Sequence, residues 1–135
     1  MASKGANAAK LTIKSKTWIE DESGRMVFGT GRLRILELIA QCGSIHAAAK
    51  ELKMSYRAVW GKIKATEDCL GQALVRRKPD GTRRGGSELT PFANNLMDRF
   101  RQLHDLVEKE ADLLFENAFP VDPKQGKEPW CSDRK

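Results

Sequence analysis

The segment between Gly43 and Gly71 constrains the fold more than any other stretch of this sequence. Ser44 introduces an Ala-rich run, Ile45 to Leu52. Only Lys53-Met54-Ser55 separates it from a second helical run, Tyr56 to Leu70, which stops at Gly71. Serine at a helix entry offers its oxygen to the unpaired N–H groups of the first turn, and glycine at the exit takes up the left-handed conformation that ends a helix. Two helices joined by so short a turn form a helix-turn-helix pair that crosses at a steep angle. Ala47, Ala48 and Ala49 leave room for a close crossing, and Val59, Ile63, Thr66 and Leu70 turn one face of the second helix inward.

The flanking patterns build a mainly α fold with small β-hairpins around this pair. Residues 1–9 read as a disordered arm. Lys10 to Ile19 alternates, with Leu11, Ile13, Ser15, Thr17 and Ile19 on one side, and predicts a strand; Glu20 to Gly24 is turn material, and Arg25 to Gly29 returns as a second strand. Thr30 is placed to cap a helix with Leu33, Leu36, Ile39 and Ala40 at helical spacing, widened by Ile35 and Leu38 and ended by Gly43. After Gly71, Ala73 to Lys78 and Ser87 to Leu89 read as two strands flanking a Gly-rich basic loop, Pro79 to Gly86. Thr90-Pro91 supplies a cap and a proline at the first helical position, opening a helix over 91–118 that spans roughly 40 Å at 1.5 Å per residue. Its apolar positions Leu96, Phe100, Leu103, Val107 and Leu114 run beyond what a small domain can cover, which predicts a homodimer seam interrupted by Glu110. Pro120, Pro123, Gly126 and Pro129 mark 120–135 as a disordered tail, leaving 10–119 as one domain.

Charge separates the middle of the chain from its long helix. The whole sequence is formally +6, whereas Lys53 to Gly85 alone holds nine basic residues against three acidic ones, and Gly86 to Phe119 holds three against seven. A basic helix following a short turn, then a hairpin with a cationic tip, is the order of elements in a winged helix-turn-helix, and its partner class is double-stranded DNA. Ser44, Ser55, Tyr56, Arg57, Trp60 and Lys64 are the candidate contacts from the helices. Arg57 stands in the first turn, where its planar fork suits guanine O6 and N7. Arg83 and Arg84 at the hairpin tip suit phosphate or the minor groove. For Trp60, packing and base or phosphate contact stand as equal readings, and the basic run itself admits the plainer reading of a solvated face.

Other chemistries find no support in the residues. His46 and His104 lie far apart and read as surface histidines, and Cys42, Cys69 and Cys131 lack metal-ligand spacing, so neither a metal nor another cofactor is expected. Cys42 and Cys69 read as core residues. The glycines around the basic loop form no phosphate-binding pattern, and nothing groups a nucleophile with a base, so no enzyme is expected. Every apolar stretch is broken by charge well short of the ~20 residues of a membrane span, which predicts a cytoplasmic protein.

The stretch Gly43-Ser44-Ile45-His46-Ala47-Ala48-Ala49-Lys50-Glu51-Leu52-Lys53-Met54-Ser55-Tyr56-Arg57-Ala58-Val59-Trp60 resembles the helix-turn-helix of LysR-type regulators. It is closer still to the DNA-binding domain of ModE-type molybdate-responsive repressors, as are the loop Asp80 to Gly86 and Leu89-Thr90 before the long helix. The resemblance covers roughly Leu11 to Phe119. It implies a winged helix, a dimerisation element beginning at Pro91, and a palindromic operator bound by a bacterial transcriptional regulator. ModE-type proteins also carry a C-terminal oxyanion-binding region, and here about sixteen residues follow Phe119, so molybdate binding is not carried over. A winged-helix module for protein–protein interaction is the alternative, with the acidic helix and Trp60 serving a partner.

Overall fold

The computed structural model describes residues 9–79 and 86–120. The elements run β1 (Trp18–Glu20), β2 (Met26–Gly29), α1 (Thr30–Cys42), α2 (Ile45–Leu52), α3 (Tyr56–Leu70), β3 (Val75–Arg77), β4 (Ser87–Leu89) and α4 (Pro91–Ala118). The described residues fall into two compact units. Thr17–Gln102 forms one, and residues 9–16 with 103–120 form the other, so the boundary lies inside α4. The terminal arm and tail expected from composition lie almost wholly outside the described residues.

The core belongs to Thr17–Gln102. Ile35, Leu36, Leu38 and Ile39 of α1 pack with Ile45, Ala48 and Ala49 of α2, Val59 and Ile63 of α3, Ala93, Met97 and Phe100 of α4, and Val27 and Phe28 of β2. Ala48 is fully buried, as the close crossing of α1 and α2 requires. Thr66, the buried polar residue of α3, is satisfied twice. Its Oγ1 donates to the Val27 carbonyl at 2.6 Å and accepts from Arg32 Nη1 at 3.0 Å. Arg32 Nη1 also lies 3.1 Å from the carbonyls of Met26 and Val27, so one guanidinium ties α1, β2 and α3 together. A buried hydroxyl without such partners would cost stability, and here the polar ties fix α3 on the core.

Both hairpins are antiparallel and short. In the first, Trp18 faces Gly29 and Ile19 faces Phe28, with an irregularity before Glu20. Its turn is built by Asp21, whose Oδ1 accepts from the backbone N–H groups of Ser23 and Arg25 at 2.9 Å and from Ser23 Oγ at 2.7 Å. The Ser23 hydroxyl, the Arg25 amide and the remaining donors pull the carboxyl down to about 2. Asp21 therefore supports the turn at neutral pH and loses that effect only as pH falls from the ordinary carboxylate range through its lowered value. In the second hairpin Val75, Arg76 and Arg77 face Leu89, Glu88 and Ser87.

Several expectations need correction. The strand expected over 10–19 is regular only at Trp18–Glu20, because β2 offers partners to no earlier residue; Leu11 and Ile13 are exposed. Thr30 is the first residue of α1 rather than its cap, since the helix begins directly from the extended Gly29 with no side-chain cap. Leu70 is exposed at the end of α3, and Cys42 is exposed at the end of α1, while Cys69 only borders the core. Leu70 and Cys42 are the final residues of their helices, at the point where Gly71 and Gly43 end the helical path. Among the described residues, no helix is long and apolar enough to cross a membrane.

Candidate nucleic-acid interface

Ser44 and Ser55 enter their helices as their positions dictate. The Ala47 N–H donates to Ser44 Oγ and the Ala58 N–H to Ser55 Oγ, both at 3.0 Å. Between them the chain reverses on Lys53, a non-glycine residue at φ +57°, whose N–H bonds the Ala49 and Lys50 carbonyls while the Met54 N–H reaches Ala49 O at 3.0 Å. A left-handed lysine costs backbone strain. The strain is held by these bonds and keeps the turn to three residues. Two capped N-termini with positive dipole ends result, each carrying a hydroxyl that can still donate to an anion.

The outward side of α3 holds the candidate contacts. Tyr56 and Trp60, one turn apart, are 41% and 39% exposed. Arg57 is exposed between them and forms no ion pair among the described residues. Val59 and Ile63 are buried, so the helix is divided into a core face and an apolar-cationic outer face. The Trp60 ring is partly exposed, with Lys64 Nζ 5.9 Å from the ring centroid. Lys64 also pairs with Asp68 at 3.7 Å, a solvent-exposed contact that water and salt screen. The caps, Tyr56, Arg57, Trp60 and Lys64 therefore belong to one helix-turn-helix.

His46 carries a role that the sequence reading missed. Its ring stacks on Tyr56 at 4.3 Å between centroids and 25° between planes, linking the first turn of α2 to the first turn of α3. Ten residues of separation hide such a pair from any helical periodicity. The steep crossing of the two helices brings it about.

The second hairpin contributes its stem to the described structure. Arg76 is engaged across the strands with Glu88 at 2.8 Å, Arg77 is exposed, and Lys78 is partly covered. Arg83 and Arg84 lie outside the described residues. The stripe expected to form a dimer seam divides in two. Phe100 is 2% exposed and packs its ring edge on Phe28 at 5.3 Å and 82°, leaving it no surface for a second chain, and Leu96 packs against the same core. Leu103 and Leu114 are exposed, and Val107 is intermediate. His104, Asp105 and Glu108 bring ligand-type atoms within 4.8 Å of one another. The spacing of one helix turn produces this cluster, and both carboxylates are mostly solvated.

Comparison with known proteins agrees with this geometry. Residues 30–94 match the bacterial regulatory helix-turn-helix proteins of the lysR family. The transcriptional regulator ModE of Haemophilus influenzae is 36% identical over 95 residues, covering 67% of this chain and 36% of that protein. The molybdenum-pterin-binding protein MopB of Rhodobacter capsulatus is 33% identical over 107 residues, covering 79% of this chain and 38% of that protein. Among solved structures, the CbnR DNA-binding domain in complex with DNA aligns with a TM-score of 0.51 at 25% identity, over 67% of this chain and 99% of that one. The chain spans little more than a third of the length of these two curated relatives.

Proposed function

Residues 30–94 are a helix-turn-helix domain of the lysR family of bacterial regulatory proteins, and from that premise we propose that this chain is a sequence-specific transcriptional regulator that binds double-stranded DNA as a homodimer. The observation that carries the reading is the outer face of α3, where exposed Tyr56, Arg57 and Trp60 follow a serine-capped N-terminus. A helix presented this way places its first turns in the major groove, where side chains reach base edges. Arg57 reads a guanine; Ser44, Ser55, Tyr56, Trp60 and Lys64 contact neighbouring bases and phosphates; Arg83 and Arg84 add phosphate contacts from the hairpin tip. The protein acts in the cytoplasm, where its DNA is, and performs no catalysis. The similarity to the molybdenum-pterin-binding protein MopB spans only 38% of that protein, and no oxyanion is included in this proposal.

Titration of labelled random duplex against salt tests the reading. Binding that falls steeply with salt follows from release of counterions at contacted phosphates. Salt-insensitive capture of a protein, with no duplex bound, would instead favour the interaction-module reading. Once genomic fragments have been selected, Arg57→Ala is expected to cost about 1 to 3 kcal/mol at the specific site and to relax preference at one base pair. Equal losses on specific and random duplex would reassign Arg57 to phosphate.

Neutralising Arg83 and Arg84 together is expected to weaken binding to all duplexes alike and to lower the salt slope by about 2, one unit per phosphate contact. The slope is read from the same titration, and an unchanged slope would remove the hairpin tip from the interface.

A further inference from the structure

We propose that Lys78 is a positioning residue that clamps the stem of the second hairpin onto the C-terminal end of α1, next to Ser44, rather than one of the phosphate contacts; the functional consequence rests on the DNA-binding reading above. The hairpin stem closes on the Lys78 N–H, which donates to the Gly86 carbonyl at 3.0 Å, and is joined to α1 by the Ser87 N–H, which donates to the Gly43 carbonyl at 2.8 Å. Gly43 ends α1 at φ +82°, its own N–H bonded to Ile39 O at 2.8 Å.

The lysine side chain lies between the two glycines. A methyl group added at Gly86 would meet Lys78 Cδ at 3.0 Å and Cε at 3.4 Å, and one added at Gly43 would meet Lys78 Nζ at 3.0 Å. A side chain at either glycine would therefore displace the lysine stem by a few tenths of an ångström, and at Gly43 the left-handed backbone favours glycine besides. The ammonium sits at the negative end of a helix that has no basic residue in its own last turn. Arg57 and Arg77, by contrast, are exposed. Lys78 therefore spends its stem on packing and its charge on α1, and the ends of the segment that carries Arg83 and Arg84 are held one residue from the cap of α2.

Two variants separate the clamp from a phosphate contact: Lys78→Met keeps the stem without the charge, and Lys78→Ala removes both. Amide hydrogen exchange is measured first, without DNA. Exchange at Ser87 is expected to rise about tenfold or more in Lys78→Ala, as a local opening becomes easier, and to stay closer to the unaltered protein in Lys78→Met. Unchanged Ser87 exchange in Lys78→Ala overturns the clamp whether or not the protein binds DNA. In duplex titrations, Lys78→Ala is expected to weaken binding severalfold with an unchanged salt slope, and Lys78→Met to recover most of the affinity. A slope lowered by about 1 in both variants, with equal loss of affinity, would make Lys78 a phosphate contact and sink the proposal. If Lys78→Ala fails to fold, the Lys78→Met salt slope decides: an unchanged slope supports the clamp, and a slope lowered by about 1 overturns it. Absence of duplex binding by the unaltered protein would count against the functional reading alone.

Discussion

Replacing Phe100 with alanine is expected to destabilise the protein by about 3 to 5 kcal/mol, the range for deleting a buried aromatic side chain. Phe100 is 2% exposed, Phe28 is fully buried, and the two rings meet edge to face. The deletion therefore removes both the transfer energy of the ring and a directional aromatic contact, and leaves a void flanked by α1, β2 and α4 that the packed core cannot close. Urea denaturation at fixed protein concentration reads the loss, and Phe28→Ala, with the double variant, reads the coupling between the rings. Because α3 rests on the same core through Val59 and Ile63, DNA binding is expected to fall only in proportion to the unfolded fraction at each urea concentration. If Phe100→Ala left protomer stability intact and instead released monomers, Phe100 would be a seam residue after all.

Which features were legible in the sequence follows from what determines them. Most helix ends came through because they depend on local chemistry: Ser44 and Ser55 cap, Gly43 and Gly71 exit in left-handed conformations, and Thr90 Oγ1 accepts from the Ala93 N–H at 3.1 Å ahead of Pro91, whereas α1 starts from Gly29 with no side-chain cap to announce it. The outer face of α3 was equally legible, since buried Val59 and Ile63 determine which side of one helix is left outside. Features that need the crossing of elements were hidden. The alternation at 10–17 reads as a strand until β2 proves too short to pair with it. His46 and Tyr56 meet only once α2 and α3 cross, and Lys78 looks like any other cation of a basic run until Gly43 and Gly86 close around its stem. The stripe on α4 has a regular spacing, yet periodicity states only that a face is apolar. It does not say whether the cover is the chain's own core, as for Phe100, or a second molecule.

Replacing Leu106 and Leu113 with lysine is expected to give a monomer whose affinity for a palindromic operator is lower by roughly 10² to 10⁴, the gain that linking two binding modules confers. Leu103, Leu106, Leu113 and Leu114 are 43%, 65%, 56% and 59% exposed on the second half of α4. Positions 103, 106, 110 and 113 follow the alternating three and four of a heptad seam, while the intermediate residues His104, Val107, Ala111 and Phe115 mark a different face. A seam on these positions is expected to keep Leu103 of the stripe that spacing alone suggests and to add Leu106 and Leu113, with Leu114 at its edge, while Leu96 and Phe100 stay with the core and Val107 lies on the neighbouring face. Leucines this exposed on adjacent turns gain little by facing water, and burying each against a symmetry mate contributes about 1.5 to 3 kcal/mol before association costs. Glu110 occupies a seam position, where a polar residue lowers stability and favours one register. Lysine at 106 and 113 opposes like charges across a two-fold seam, yet both positions are already in water in one chain, so protomer folding is expected to persist. Sedimentation equilibrium reads the oligomeric state, and titration with one half-site against the full palindrome reads the affinity. A double variant that remains dimeric, or an unaltered protein that is monomeric at micromolar concentration with full operator affinity, would remove α4 from the assembly and leave its exposed leucines to some other partner.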